Sequence, residues 1–270
     1  MPTASSPLRV SVVGAGRLGT ALTRALRTAG VAVQGPTGRG TPVEDADIAV
    51  LCVPDAEIRD AAHAARPHAR LVGHTSGATT LADANADFGL HPLGSFLGHE
   101  DLPQFQGLGC AIAGGTPEAT NAAAWLAGTL GMTPFAIDDE ARASYHAAAS
   151  LASNYLVTLQ SAAERLAGAA GLAPGDARTL FAPLVRGTVE NWAANGPEAA
   201  LTGPIARGDE QTVSRQRAAV AADAPELLDL FDVLADRTRV LAQHARALAE
   251  GTRALAGPAP ALTARKETAS

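Results

Sequence analysis

Three glycines near the amino terminus, Gly14, Gly16 and Gly19, stand at the spacing G-x-G-x-x-G, with Ala15, Arg17 and Leu18 between them. Glycine at the first position permits a sharp turn, and at the second it lets the backbone approach a pyrophosphate. At the third it lets a helix pack closely on a strand. The N–H groups at the start of such a helix, aided by its dipole, hold phosphate oxygens. A second group of polar residues, His146, Ser150 and Asn154, recurs every four positions in a stretch otherwise rich in alanine, leucine and valine. On a helix each step of four advances about 40° past a full turn. The three therefore form one stripe on a helix expected to be buried, and a buried polar stripe needs partners or a ligand.

The elements around the glycines have the required types. Residues 8–13 (LRVSVV) read as a β-branched strand, and Leu18, Ala21, Leu22, Ala25 and Leu26 recur at helical spacing up to a stop at Gly30. Residues 31–33 form a second strand. Residues 47–53 (DIAVLCV) are apolar throughout, as in a strand buried on both faces, and end at Pro54-Asp55. Residues 71–74, 109–113 and 133–137 are further short strands. Strands alternating with helical stretches predict an α/β Rossmann domain with a mostly parallel sheet over residues 1–137. Beyond Asp138 strand signals nearly vanish. Helical segments near 139–170, 176–195, 209–222 and 224–250, broken by Gly and Pro, predict an all-α second domain over 138–257. Residues 258–270 read as a disordered tail.

Ligands of open parallel sheets bind at the carboxyl ends of the strands. That rule brings Val53, Pro54, His74, Thr75, Ser76, Gly77 and His91 towards a cofactor or substrate. An NAD site carries an acid about 20 residues past the glycines, on the ribose hydroxyls. Here the position is Gln34-Gly35, and no acid occurs before Glu44. Thr37 and Arg39 in the following loop offer a hydroxyl and a guanidinium to a 2′-phosphate, which favours NADP(H); Arg39 is otherwise an ordinary solvated loop residue.

Composition narrows the partners. The net charge is −6 without a basic stripe, which argues against nucleic acid. No apolar run reaches spanning length and no signal-peptide core is present, so a cytoplasmic protein away from membranes is expected. Cys52 and Cys110, the two cysteines, sit in apolar strand-like contexts and read as reduced core thiols, with no disulfide or metal site.

Residues 8 to about 250 resemble nicotinamide-dependent reductases whose helical second domain is like that of 6-phosphogluconate dehydrogenase. This superfamily includes hydroxyisobutyrate dehydrogenases, ketopantoate reductases and pyrroline-carboxylate reductases. More narrowly, the chain is similar to a bacterial branch of Rossmann-like oxidoreductases with a helical C-terminal domain of undefined function. The motifs that carry this are GAGRLG (14–19), VPD (53–55), HTSGA (74–78), HPLGSF (91–96) and TGPIARGD (202–209). The resemblance implies an NADPH-dependent reductase of a small oxo acid, ketopantoate-reductase-like and serving pantothenate biosynthesis, and a homodimer.

One departure concerns the proton. Many relatives carry a catalytic lysine one turn before an asparagine; matched to Asn154, that position is Ser150, and the chain's single lysine is Lys266. His146 becomes the leading proton donor, since its ordinary pKa suits transfer near neutrality. His91, Tyr145 or a water held by Asn154 and Ser150 are the alternatives. Asn154 would orient the substrate. The TGPIARGD stretch reads as a tight turn into a helix capped by Asp209, facing an interdomain cleft where Arg207 would grip a substrate carboxylate. Two other readings stand beside this one: an imine reductase of the pyrroline-carboxylate type, and a non-catalytic NADP(H)-binding sensor.

Overall fold

The computed structural model describes residues 8–97 and 105–256; the tail expected over 258–270 lies outside them. Seven strands form one sheet: β1 (Arg9–Val13), β2 (Ala32–Thr37), β3 (Ala46–Leu51), β4 (Ala69–His74), β5 (Phe88–Pro92), β6 (Gly109–Gly114) and β7 (Thr133–Ala136). Their order is β2-β1-β3-β4-β5-β6-β7. Every neighbouring pair is parallel except β5–β6. The helices α1 (Arg17–Thr28), α2 (Ile58–Ala65), α3 (Leu81–Ala84) and α4 (Pro117–Thr129) connect them.

The apolar run in β3 explains the layering. Ile48 and Val50 join Val10, Val12, Leu22, Leu26 and Leu126 on the face covered by α1 and α4. Ala49 and Leu51 join Val72, Ile58, Ala62 and Ala65 on the face covered by α2. Each fully buried Val, Ile or Leu contributes roughly 1.5–3 kcal/mol, and the alternation along β3 commits one strand to both layers.

Two expectations are corrected here. The second strand runs to Thr37 instead of ending at residue 33, so Pro36 and Thr37 are strand residues, not loop. Proline is tolerated because β2 is an edge strand, and the pairing with β1 shifts register between Ser11 and Val13. The polar-stripe helix is also different. It is not one buried helix over 139–170 but α5 (Arg142–Ala152) and α6 (Asn154–Ala169), interrupted at Ser153. His146 and Asn154 are exposed and Ser150 half-buried, because α5 buries only its Arg142 side.

The remaining helices are α7 (Pro174–Ala200), kinked at Gly196, α8 (Pro204–Arg207), α9 (Glu210–Asp223) and α10 (Leu228–Ala256). The expected turn before α9 contains the extra short helix α8. Asp209 caps α9 as its type suggests, its side chain accepting from the Thr212 N–H at 3.0 Å. Among the described residues no helix is long and apolar enough to cross a membrane. The chain divides into two compact units, Met1–Leu156 and Val157–Ser270. Thus α5, which composition assigned to the helical half, belongs with the sheet.

Candidate active site

The turn from β1 into α1 is built around two glycines that admit no side chain. Gly14 has φ +110°, and a Cβ there would lie 2.3 Å from the Cys52 carbonyl oxygen. A Cβ on Gly19 would lie 1.9 Å from the Gly14 carbonyl oxygen, so α1 can sit this close only with glycine at its third residue. The space a Gly16 side chain would fill is empty to 4 Å. No side chain caps α1 and its first turn holds no acid. Its first N–H groups, which every helix leaves without intrahelical acceptors, therefore face an open approach.

This turn borders a cavity of about 530 Å³ at the carboxyl ends of β1, β2 and β3, where the strand order reverses. Gly14, Ala15, Gly16, Thr37, Arg39, Val53 and Pro54 line it, together with Glu57 and Asp60 from the segment after β3. The Thr37 carbonyl accepts from the Gly14 N–H at 2.9 Å, which ties β2 to the turn. The Thr37 hydroxyl is buried without a partner among the described residues. A buried hydroxyl left unpaired is costly, so its place in this wall suits a bound polar group. Arg39 pairs with Glu57, their side chains 84% and 39% exposed.

Cys52 also borders this cavity. Burial pushes its thiol up to about 12, with a weaker opposite pull from a hydrogen bond with Thr75, and burial pushes Cys110 up to about 12. Both are free cysteines and stay protonated near neutrality.

The residues after β4 form the next part of the same sheet edge. Thr75 donates its hydroxyl to the Leu51 carbonyl at 3.1 Å, and the Ser76 hydroxyl accepts from the Ala78 and Thr79 N–H groups at 3.2 and 3.0 Å. The first bond ties the loop to β3 and the other two brace it. His74 is fully buried; its Nδ1 accepts from the Ser76 N–H at 3.2 Å. Burial, helped by the Arg142 charge, brings its pKa down to about 4, so the ring is neutral near pH 7. Arg142, only 2% exposed, starts α5 beneath this loop. Its Nε donates to Asp139 at 2.6 Å, and Asp139 in turn accepts from the Leu81 N–H at 2.9 Å. Arg142 Nη1 also donates to the Ser76 carbonyl at 3.4 Å, so the pair ties the start of α5 to the loop after β4 and to α3.

That anchoring sets a second cavity, of about 370 Å³, lined by His91, Ser95, His146, Ser150 and Asn154 among others. The His91 Nδ1 lies 2.7 Å from the Tyr145 hydroxyl. The His91 ring is edge-on to those of Tyr145 and His146, at 5.5 and 6.0 Å between centroids. Gly77 makes room for both histidines. A Cβ there would lie 2.8 Å from His146 Nδ1 and 2.8 Å from His91 Cε1. Burial, then the neighbouring His146 and Arg142, brings the His91 pKa down to about 4, and burial pushes the Tyr145 phenol up to about 12. Near neutral pH, His91 and Tyr145 are therefore an uncharged hydrogen-bonded pair.

Similarity to known proteins agrees with this architecture. Residues 108–238 match a family model described as a domain of unknown function, DUF2520. No curated protein matches the chain. Among solved structures, a Bacteroides fragilis protein described as an NADP oxidoreductase is 21% identical, with TM-score 0.71 over 86% of this chain and 98% of that one. Protein TM1727 from Thermotoga maritima is 22% identical, with TM-score 0.71 over 88% and 99%. A reductive aminase from Aspergillus terreus, solved with NADPH and ethyl levulinate, is 16% identical, with TM-score 0.59 over 88% and 99%. The shared fold is a Rossmann-like sheet followed by helices.

The structure gathers the predicted residues unevenly. The glycine turn, Thr37, Arg39, Val53 and Pro54 meet at one cavity, and His91, His146, Ser150 and Asn154 at the other. Thr75 and Ser76 line neither, Leu18 packs on the core, and Arg17 is exposed on α1. Arg207 ends α8 in the second unit and is exposed. Gly77, placed by sequence at the strand ends, lies beside both histidines. Glu57 and Arg142 were not singled out by sequence; an acid on a surface turn and an arginine beside an acidic run look like ordinary solvated charges.

Proposed function

We propose that the chain is an NADPH-dependent reductase of a small carbonyl compound. The observation that carries this is the cradle itself: the uncapped start of α1, the side-chain-free turn at Gly14 and Thr37, whose hydroxyl has no partner among the described residues, all border one cavity. These groups fit a dinucleotide. The first N–H groups of α1 would take the pyrophosphate, and Thr37 and Arg39 would take the ribose and its 2′-phosphate. Structures of the same fold described as an NADP oxidoreductase and as an NADPH-bound reductive aminase support that choice. When bound, the cofactor supplies a hydride to the carbonyl carbon as the π pair moves onto oxygen and takes a proton. His146 would give that proton, and Asn154 and Ser150 would orient the substrate.

A 2-oxo acid such as ketopantoate is the leading substrate, on the strength of the family resemblance. Imine reduction is a second reading, favoured by the reductive aminase of the same fold and by the absence of a lysine beside Asn154. Loss of NADPH absorbance with ketopantoate, set against cyclic imines, separates the two. Tight NADPH binding with no turnover of either would leave a sensor.

Cofactor choice has its own test. A charge-assisted contact to a 2′-phosphate is worth about 1.5–3 kcal/mol, whereas the exposed Arg39–Glu57 pair that must open contributes at most about 1 kcal/mol. Arg39→Ala is accordingly expected to weaken NADPH about tenfold or more and NADH little, measured by fluorescence titration. Equal losses for both would sink the 2′-phosphate assignment.

A homodimer follows from the same reading. In the second unit Leu180 and Leu184, one turn apart on α7, are 60% and 68% exposed, and Val157 and Trp192 are 69% and 55% exposed. Apolar exposure of this kind suits a second copy of the chain. Sedimentation should give twice the monomer mass, and Leu184→Glu should return the monomer; a monomeric wild type would refute it.

A further inference from the structure

The hydrogen bond between His91 and Tyr145 raises a question the reductase reading leaves open: which atom of His91 carries the proton. Two arrangements fit a 2.7 Å contact between Nδ1 and the phenol oxygen. Either the phenol donates to a bare Nδ1, or Nδ1–H donates to the phenol, whose own proton then needs another acceptor. His91 is the partner that the described residues offer to this hydroxyl. The phenol is also the more acidic of the two donors, and a neutral imidazole has one donor and one acceptor nitrogen.

We propose that Tyr145 is a positioning residue: its phenol donates to Nδ1 of His91, so that His91 keeps its proton on Nε2 and offers it as a fixed hydrogen-bond donor to the substrate's carbonyl oxygen. Four features on one edge of the sheet support this. His91 sits on β5, one strand from the end of β4, and borders the 370 Å³ cavity that also holds His146, Ser150 and Asn154. Tyr145 and His146 are consecutive on α5, so the helix that brings one histidine to the cavity brings the orienting phenol to the other. Arg142, three positions before Tyr145, is buried and pairs with Asp139, and the bonds from the Leu81 N–H to Asp139 and from Arg142 to the Ser76 carbonyl tie the start of α5 to the loop after β4. Gly77 bears no side chain at the place where one would meet His91 Cε1 at 2.8 Å, so the ring lies close against this loop.

The division of labour then has a physical reason. Burial and the neighbouring charges keep His91 neutral down to about pH 4, so near neutral pH it stays a hydrogen-bond donor. A neutral imidazole N–H placed at an oxygen that becomes negative stabilises that charge. Transfer of the proton itself falls to His146.

The contact with a carbonyl oxygen rests on the reductase reading, but the tautomer does not. Nitrogen NMR on protein labelled with imidazole ¹⁵N, without substrate, should show His91 with a protonated Nε2 and a hydrogen-bonded, unprotonated Nδ1. Tyr145→Phe should shift the Nδ1 signal towards an unbonded nitrogen and mix the tautomers, leave NADPH affinity unchanged, and lower kcat about tenfold or more. A wild-type His91 protonated on Nδ1, or a phenylalanine variant with an unaltered tautomer, overturns the assignment even if the protein proves to be a reductase. Should that variant not fold, the wild-type tautomer decides by itself. Failure of every carbonyl substrate with the tautomer as stated would count against the reductase reading instead.

Discussion

His146→Ala is expected to lower kcat for NADPH-dependent carbonyl reduction by about a hundredfold or more while leaving NADPH affinity within about twofold. A positioned general acid is generally worth that much, about 2.7 kcal/mol or more of barrier at 1.36 kcal/mol per tenfold. The position one turn before Asn154, a lysine in many relatives, is Ser150 here. His146 is exposed on α5 in the described chain, so its removal leaves no buried cavity and should leave stability nearly unchanged. That separation makes the variant informative: stopped-flow NADPH oxidation reads the chemistry, and thermal unfolding reads the fold. Unchanged turnover would reject His146 and move the proton to His91, Tyr145 or a water. A loss of kcat with an equal loss of NADPH affinity would instead place His146 in cofactor binding.

Gly14→Ala is expected to abolish NADPH binding, weakening it by about a hundredfold or more, and to destabilise the protein by about 2–4 kcal/mol. Two effects act together. At φ +110° a side chain is strained whatever the space around it, and here its Cβ would meet the Cys52 carbonyl oxygen at 2.3 Å. That oxygen belongs to backbone at the end of β3, so relief requires β1 and β3 to part or the turn to move. A moved turn no longer holds the start of α1 over the cavity, and the Gly14 N–H loses its 2.9 Å bond to the Thr37 carbonyl. Gly16→Ala is the natural contrast. Its side chain would enter space empty to 4 Å, so the apo fold should keep its stability while the approach to the pyrophosphate is blocked. Chemical denaturation of both variants without cofactor would distinguish strain from obstruction; equal stability losses would refute this account.

Much of the sheet was legible because its signals are local. The glycine spacing, the apolar run at 47–53 and the helical repeat after Gly19 each predict one element from a few adjacent residues, and each appears where expected. The helical second half was equally plain from the loss of β-type runs. Short-range signals failed where tertiary context outweighs propensity. Pro36 and Gly35 look like strand breakers, but an edge strand tolerates both. The stretch 139–170 has no strong breaker, yet its helix is interrupted at Ser153. Phe88–Pro92 was not singled out as a strand; it is short, ends in proline and pairs parallel to β4 through only Phe88 and Gly89.

The sequence by itself determined a strand–glycine turn–helix at residues 14–19 of the type that holds a dinucleotide, the absence of an acid at Gln34-Gly35, and candidate polar groups at His91, His146, Ser150 and Asn154. It could do so because those inferences depend on residue type and spacing along one element. Only the tertiary structure decided which groups share a cavity and in what state. Tyr145 lies 54 positions from His91 yet shares a hydrogen bond with it, and Arg39 pairs with Glu57 from another strand's loop. Burial lowers the His91 pKa, the Thr75 hydroxyl bonds back to the Leu51 carbonyl of β3, and the Ser76 hydroxyl accepts from N–H groups of its own loop. Hydrogen bonds and desolvation depend on distances across the fold, which no spacing along the chain records.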